Sequence, residues 1–131
     1  MGESVRMGRE EFLAQVAALF PETEGFVSQY GHGLLHCEVG DFLRVVEAAM
    51  DEGRQWQAQK YLEFIDRCLS SAGEELENAL MVSFVEGFAL GEVSEHRRTV
   101  VRERMPARLR DLVTKINGEW RTVRRKARKR K

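Results

Sequence analysis

Proline is nearly absent from this sequence: Pro21 and Pro106 are the only two. Long stretches are therefore free to be helical. Cysteine is as scarce. Cys37 and Cys68 are too few for a disulfide framework and read as two separate thiols, with Cys68 buried. No apolar run approaches the roughly 18–20 residues that span a bilayer. The N-terminus MGESVRMGREEF is polar and lacks a signal-peptide core, so the protein is expected to be cytoplasmic. No strand-like alternation persists anywhere. There is no P-loop, no dinucleotide-binding glycine fingerprint and no H-E-x-x-H.

What is present is charge, sorted by sign. Residues 1–95 hold 6 Lys and Arg against 18 Asp and Glu; residues 96–131 hold 15 against 3. The formal net charge of +0 hides halves of −12 and +12. An acidic body attracts basic partners, and a basic end attracts nucleic acid or acidic surfaces. The division points to a binding protein before an enzyme.

The remaining order is helical. Phe12, Leu13, Val16, Leu19 and Phe20 share one face of a first helix. Pro21 ends it and can open a short second helix lined by Phe26, Val27 and Tyr30. Gly31, Gly33 and Gly40 bound an irregular stretch, and Asp41 is a good N-cap for the next helix. Phe42, Leu43, Val46, Ala49 and Met50 stripe that helix, and Gly53 is a natural stop. Trp56 opens a helix carrying Tyr61, Leu62, Ile65, Cys68 and Leu69. From about Glu74 to Leu90, Leu76, Leu80 and Phe84 form one apolar face, and Met81, Val85 and Phe88 a second. A helix apolar on most of its circumference is usually central. After a polar segment, Pro106 starts a helix along Leu109, Leu112, Val113, Ile116, Trp120 and Val123.

The reading is an all-α protein of six or seven helices, as an antiparallel bundle or stacked helical hairpins. Residues 1–120 form the helical domain and 121–131 a basic tail. The tail has eight basic residues in eleven and cannot bury itself, so it is expected to be disordered. At 131 residues the chain is one domain, long enough to bury a core without metal or disulfide staples.

Residues that could carry chemistry are few. His32, His36, Cys37 and Asp41 are the only candidate metal cluster. The glycines beside His32 and the lack of four well-spaced ligands favour an ordinary loop, so neither metal nor cofactor is expected. A His36–Cys37 nucleophile pair has no accompanying oxyanion-hole signal. Carboxylates abound on helix faces. Glu47 with Asp51, and Glu63 with Asp66, are like-charge neighbours, each pair costing a few tenths of a kcal/mol in an isolated helix.

The stretch Glu74–Glu86 resembles the signature of a small bacterial all-helical family with an N-x3-V-S-F-[LV]-E core, here Asn78, Val82, Ser83, Phe84, Val85 and Glu86. Phe20-Pro21-Glu22, Gly40-Asp41-Phe42 and Tyr61-Leu62-Glu63-Phe64-Ile65 match further elements in order, over roughly residues 10–120. The resemblance implies an immunity protein, encoded beside a secreted polymorphic toxin and without a shared catalytic activity. Asn78, Ser83 and Glu86 are then the family positions. The basic tail departs from that pattern.

Two functions are therefore in view. In the first, Glu47, Asp51, Glu52, Glu63, Asp66 and Glu77 form an acidic surface that binds a basic, nucleic-acid-targeting toxin domain, aided by electrostatic steering. In the second, Arg121, Arg124, Arg125, Lys126, Arg128, Lys129, Arg130 and Lys131 contact the phosphates of a nucleic acid.

Overall fold

The computed structural model describes residues 6–25, 34–91 and 94–129, with side chains through Gly118. The helix expected at Phe26, Val27 and Tyr30, the loop histidine His32, and the tail residues Arg130 and Lys131 lie outside the described residues. Six helices account for most of the rest: α1 (Arg9–Leu19), α2 (Leu35–Asp51), α3 (Gln55–Ser71), α4 (Glu74–Ala79, continued through Leu80–Glu86 and Gly87–Ala89), α5 (Glu95–Glu103) and α6 (Ala107–Lys129). A 3-10 turn, Pro21–Thr23, follows α1. Among the described residues the only extended pairing is a bridge between Met7 and Ala72. The protein is all-α.

The expected N-cap at Asp41 is a correction. Helix α2 starts at Leu35, with Leu34 as an extended N-cap that has no side-chain cap bond. Leu35 and Val39 are buried with Phe42 and Val46. They extend the apolar stripe backwards by more than a turn. Burying those two side chains outweighs the roughly 1 kcal/mol that Gly40 costs inside a helix. Asp41 consequently sits mid-helix.

Short connections fold α2, α3 and α4 back on one another. The first is closed by Gly53 at φ +80°. Its N–H bonds Met50 O at 3.2 Å and the Arg54 N–H bonds Ala49 O at 2.8 Å, a Schellman stop. At the second, Met7 donates to Ser71 O and accepts from Gly73 N, each at 2.8 Å.

Helix α4 widens to a π-helix over Leu80–Glu86. Of the two apolar faces read from the sequence, Leu76, Leu80 and Phe84 of the first and Val85 and Phe88 of the second are buried, with Met81 partly so. Helices α2 and α4 pack closely, and a Cβ on Gly87 would lie 3.0 Å from Leu43 Cδ2. Below them sits an aromatic cluster in which Phe20 meets Tyr61 at 4.8 Å and Phe64 at 5.4 Å, both edge to face.

The opposed charges meet within the molecule. Arg97 on α5 bonds Glu47 at 2.9 Å and Asp51 at 2.8 Å on α2. Arg108 on α6 reaches Asp66 on α3 at 3.2 Å. Arg104 lies over the Trp56 ring, 4.6 Å from its centroid. Helix α6 buries Leu109 and Val113. Its backbone stays helical to Lys129, past Trp120, where the disordered tail was expected to begin. Arg and Lys are good helix formers, and nothing in 121–129 breaks the helix.

Candidate functional site

Helix α2 buries one face and turns another to a groove of about 1160 Å³. His36, Cys37, Gly40, Asp41, Arg44 and Ala48 recur along it at helical spacing. Glu22, from the 3-10 turn, and Arg54, Gln57 and Tyr61, from the start of α3, form the opposite wall. Ser83 enters from the π-helical segment.

Glu22 is held by two donors, Tyr61 Oη at 2.8 Å and Gln57 Nε2 at 3.2 Å. Burial alone would raise the Glu22 carboxyl, but bonds from Tyr61, its own backbone and Gln57 outweigh it and hold the group below the usual range. Burial first, and the Glu22 carboxylate second, push the Tyr61 phenol well up. The Tyr61 proton therefore stays on oxygen and serves as a fixed donor. Across the groove, His36 Nδ1 and Ser83 Oγ share a hydrogen bond of 2.8 Å. Ser83 thus tethers α4 to α2.

Asp41 is the exception in this wall. Arg44 bonds its Oδ1 at 2.7 Å. Its Oδ2 is buried and has no hydrogen-bond partner among the described residues. The side chain is only 9% exposed. A buried acceptor left unmade costs about 1–3 kcal/mol, more when charged, so such an oxygen is uncommon.

The residues singled out in the sequence are dispersed. Glu47 and Asp51 face Arg97. Glu52 pairs with Arg54 at 2.9 Å, and Asp66 with Arg108. Glu63 accepts from Gln59 at 3.1 Å. Glu77 is exposed in the first turn of α4. Four of these six acids thus pair with arginines of the chain itself, on different sides of the fold. Arg121, Arg124, Arg125, Lys126, Arg128 and Lys129 lie on the helical end of α6. Among the described residues, no three His, Cys, Asp or Glu side chains gather as metal ligands. Cys37 is exposed. Burial pushes the Cys68 thiol up to about 12, which keeps it an unreactive core group.

Sequence reasoning missed the roles of Glu22, Gly40, Arg44 and Tyr61. The recurrence of His36, Gly40 and Arg44 every four residues was the available signal. The pairs Glu22–Tyr61 and His36–Ser83 join residues 39 and 47 positions apart and leave no local pattern.

Fold and groove together define a small all-α protein with an open cleft beside helix α2. Over residues 9–121 the chain matches the model of a family described as a domain of unknown function, DUF7674, and it belongs to that family. No curated protein and no solved structure matches it.

Proposed function

We propose that this protein is an immunity protein: a non-enzymatic binder that neutralises a cognate secreted toxin domain of a competing bacterium. The groove beside α2 carries the reading. At about 1160 Å³ it is open and larger than the usual small-molecule pocket, and Asp41, one oxygen of which has no hydrogen-bond partner among the described residues, stands in its wall. That suits a protein surface pressed onto it. The resemblance of Glu74–Glu86 to the immunity-type signature supports the same reading, and Ser83 of that signature stands in the groove wall. No helix among the described residues is long and apolar enough to cross a membrane. The protein would then act in the cytoplasm of the cell that makes it.

The acidic surface enters this reading in altered form. Glu47, Asp51, Glu52 and Asp66 lend their charge to steering at a distance, while their short-range bonds go to the chain's own arginines. A test is capture from nuclease-treated native lysate at two salt concentrations, followed by expression of the recovered protein in a sensitive host with and without this chain. A basic domain retained at both salts, toxic alone and harmless in its presence, is the expected result. Recovery of a non-toxic protein would reject the reading.

A second reading rests on one observation: the α6 backbone carries six basic residues between Arg121 and Lys129 on an unbroken helix. Such an end would bind nucleic acid without sequence preference and with strong salt dependence. Truncation after Trp120 separates the two, removing nucleic-acid binding and leaving toxin neutralisation intact.

A further inference from the structure

Helices α5 and α6 carry the basic half of the chain, and a cavity of about 470 Å³ opens between them, floored by the end of α4. Phe88, Ala89, Val101 and Val113 give it an apolar lining. Arg98, Arg102 and Arg110 stand around it, and no Asp or Glu among the described residues lines it. Arg97 also reaches it but is committed to Glu47 and Asp51. The other three keep most of their charge for a ligand. Arg98 lies 3.9 Å from Glu95 and Arg102 lies 3.3 Å from Glu103, and both pairs are exposed and worth little. Arg110 has no carboxylate partner among the described residues. It donates to the Arg102 carbonyl at 3.2 Å, which fixes it beside the end of α5. Asn117 donates to the Ala89 carbonyl at 3.0 Å and holds α6 to the end of α4.

The register of α6 carries this chemistry onward. At about 100° per residue, Thr114, Asn117, Arg121, Arg124, Arg125 and Arg128 all fall within about 60° of Arg110 around the helix axis. The acids of α6, Asp111 and Glu119, fall outside that arc. The row runs about 27 Å at 1.5 Å per residue, and its arginines beyond the cavity recur about every 5 Å.

Row and cavity together narrow the ligand to one class. Cations at that repeat match a chain of regularly spaced anions, and arginine is the side chain best suited to phosphate. A protein partner needs apolar surface to bury at the centre of its interface. Past Val113 the arc offers none, only Thr114, Asn117 and then arginines. Interfaces with nucleic acid are more polar and more positive. A duplex keeps its bases stacked inside and would leave the apolar cavity empty. A single strand can turn a base out into it, with a guanidinium against the base's face.

We propose that a single-stranded nucleic acid binds along α6, its phosphates on the arginine row and one unstacked base in the cavity between α5 and α6. This rests on the reading of the basic end as a nucleic-acid binder. It adds to that reading a site, a strand state and three further arginines, Arg98, Arg102 and Arg110. The site shares no residue with the groove beside α2.

The test titrates the full chain into labelled dodecathymidylate, the duplex of equal length and polyglutamate, read by fluorescence anisotropy. The single strand should bind best, with the duplex about tenfold weaker and polyglutamate weaker still. Arg98→Gln combined with Arg102→Gln alters two exposed side chains and should leave the fold intact. It should weaken single-strand binding about tenfold and flatten the slope of log K against log salt by about 1.4, with little effect on the duplex. In the 15N-labelled chain, amide shifts at Val101, Val113 and Asn117 should accompany the single strand and not the duplex. Single-strand binding that the double variant leaves unchanged, or that moves no cavity amide, overturns the proposal and leaves the basic-end reading standing. Polyglutamate bound as tightly as the single strand overturns it too. The quadruple variant Arg121→Gln, Arg124→Gln, Arg125→Gln and Arg128→Gln judges the basic end itself and should abolish binding. Binding unchanged in that variant would remove the basic-end reading and this proposal together.

Discussion

Helix α2 carries acidic side chains toward two surroundings, and they are treated in opposite ways. Near its C-terminal end, Glu47 and Asp51 converge on Arg97, whose side chain is 14% exposed, and Ser94 adds a longer contact to Asp51 at 3.4 Å. The cation comes from another helix, so the cluster ties α5 to α2. Ten residues before Asp51, Asp41 is more buried yet has only Arg44, three positions along its own helix, and one oxygen without a donor. The first arrangement completes itself within the chain. The second does not, among the described residues. Buried polar groups that cost stability without repaying it internally are where function is to be sought.

The comparison can be broken at its stronger end first. Arg97→Ala leaves two carboxylates facing each other, one of them half-buried. It should cost about 2 kcal/mol and lower the thermal midpoint by several degrees. A thermal midpoint unchanged from the parent would show that the cluster does not tie α5 to α2.

The same end should respond to acid in a particular order. Burial raises the Glu47 carboxyl, and the Arg97 cation only partly offsets it. The Arg97 hydrogen bond lowers Asp51, against a smaller cost of burial. Because Glu47 is raised in the folded state, its protonation favours the fold as pH falls through that raised value toward the ordinary carboxyl range. Asp51 has the opposite sign. Its contribution is full above its unfolded value of about 3.9 and disappears as pH drops through the lower folded value. Urea unfolding between pH 7 and pH 2 should therefore show Asp51→Asn converging on the parent only at the acid extreme. Glu47→Gln should cost less than Asp51→Asn at neutral pH. A larger loss for Glu47→Gln would reverse the assignment.

At the groove the effects are smaller and change sign. Gly40→Ala should stabilise the protein by about 0.5–1 kcal/mol, because the added methyl meets nothing and the helix gains propensity. Asp41→Asn should be within about 0.5 kcal/mol of neutral, losing an ion pair to the exposed Arg44 but relieving a buried charged oxygen. Measured side by side, Asp51→Asn destabilising and Asp41→Asn not would sharpen the contrast. Equal destabilisation would erase it.

The helices were legible because apolar periodicity dictates them: Phe12, Leu13, Val16 and Phe20, Ala58 to Leu69 and Leu109 to Ile116 face the core or its edge as their spacing predicts, while Leu19 of the first face is exposed. The start of α2 was hidden because Gly40-Asp41 resembles a break followed by a cap, and only the burial of Leu35 and Val39 shows otherwise. The two apolar faces of α4 marked it as a central helix, but nothing in their spacing distinguished the π-helical segment from an ordinary α-helix. The partition of charge was plain, but its main structural use was not. Arg97 and Arg108 spend part of the basic half on the acidic half, so net charge along the chain overstated what is free for a partner. The groove was the least legible part. Its walls come from residues distant in sequence, and its defining feature is a missing bond, which no pattern of residue types encodes.

The most direct test of the account places three baits side by side in native lysate: the parent chain, Asp41→Asn and Asp51→Asn, each verified as folded. The retained partner is then quantified. Loss of the partner by Asp41→Asn, with retention by Asp51→Asn, is the predicted result. Equal retention by all three would contradict the claim that α2 meets its partner through the groove.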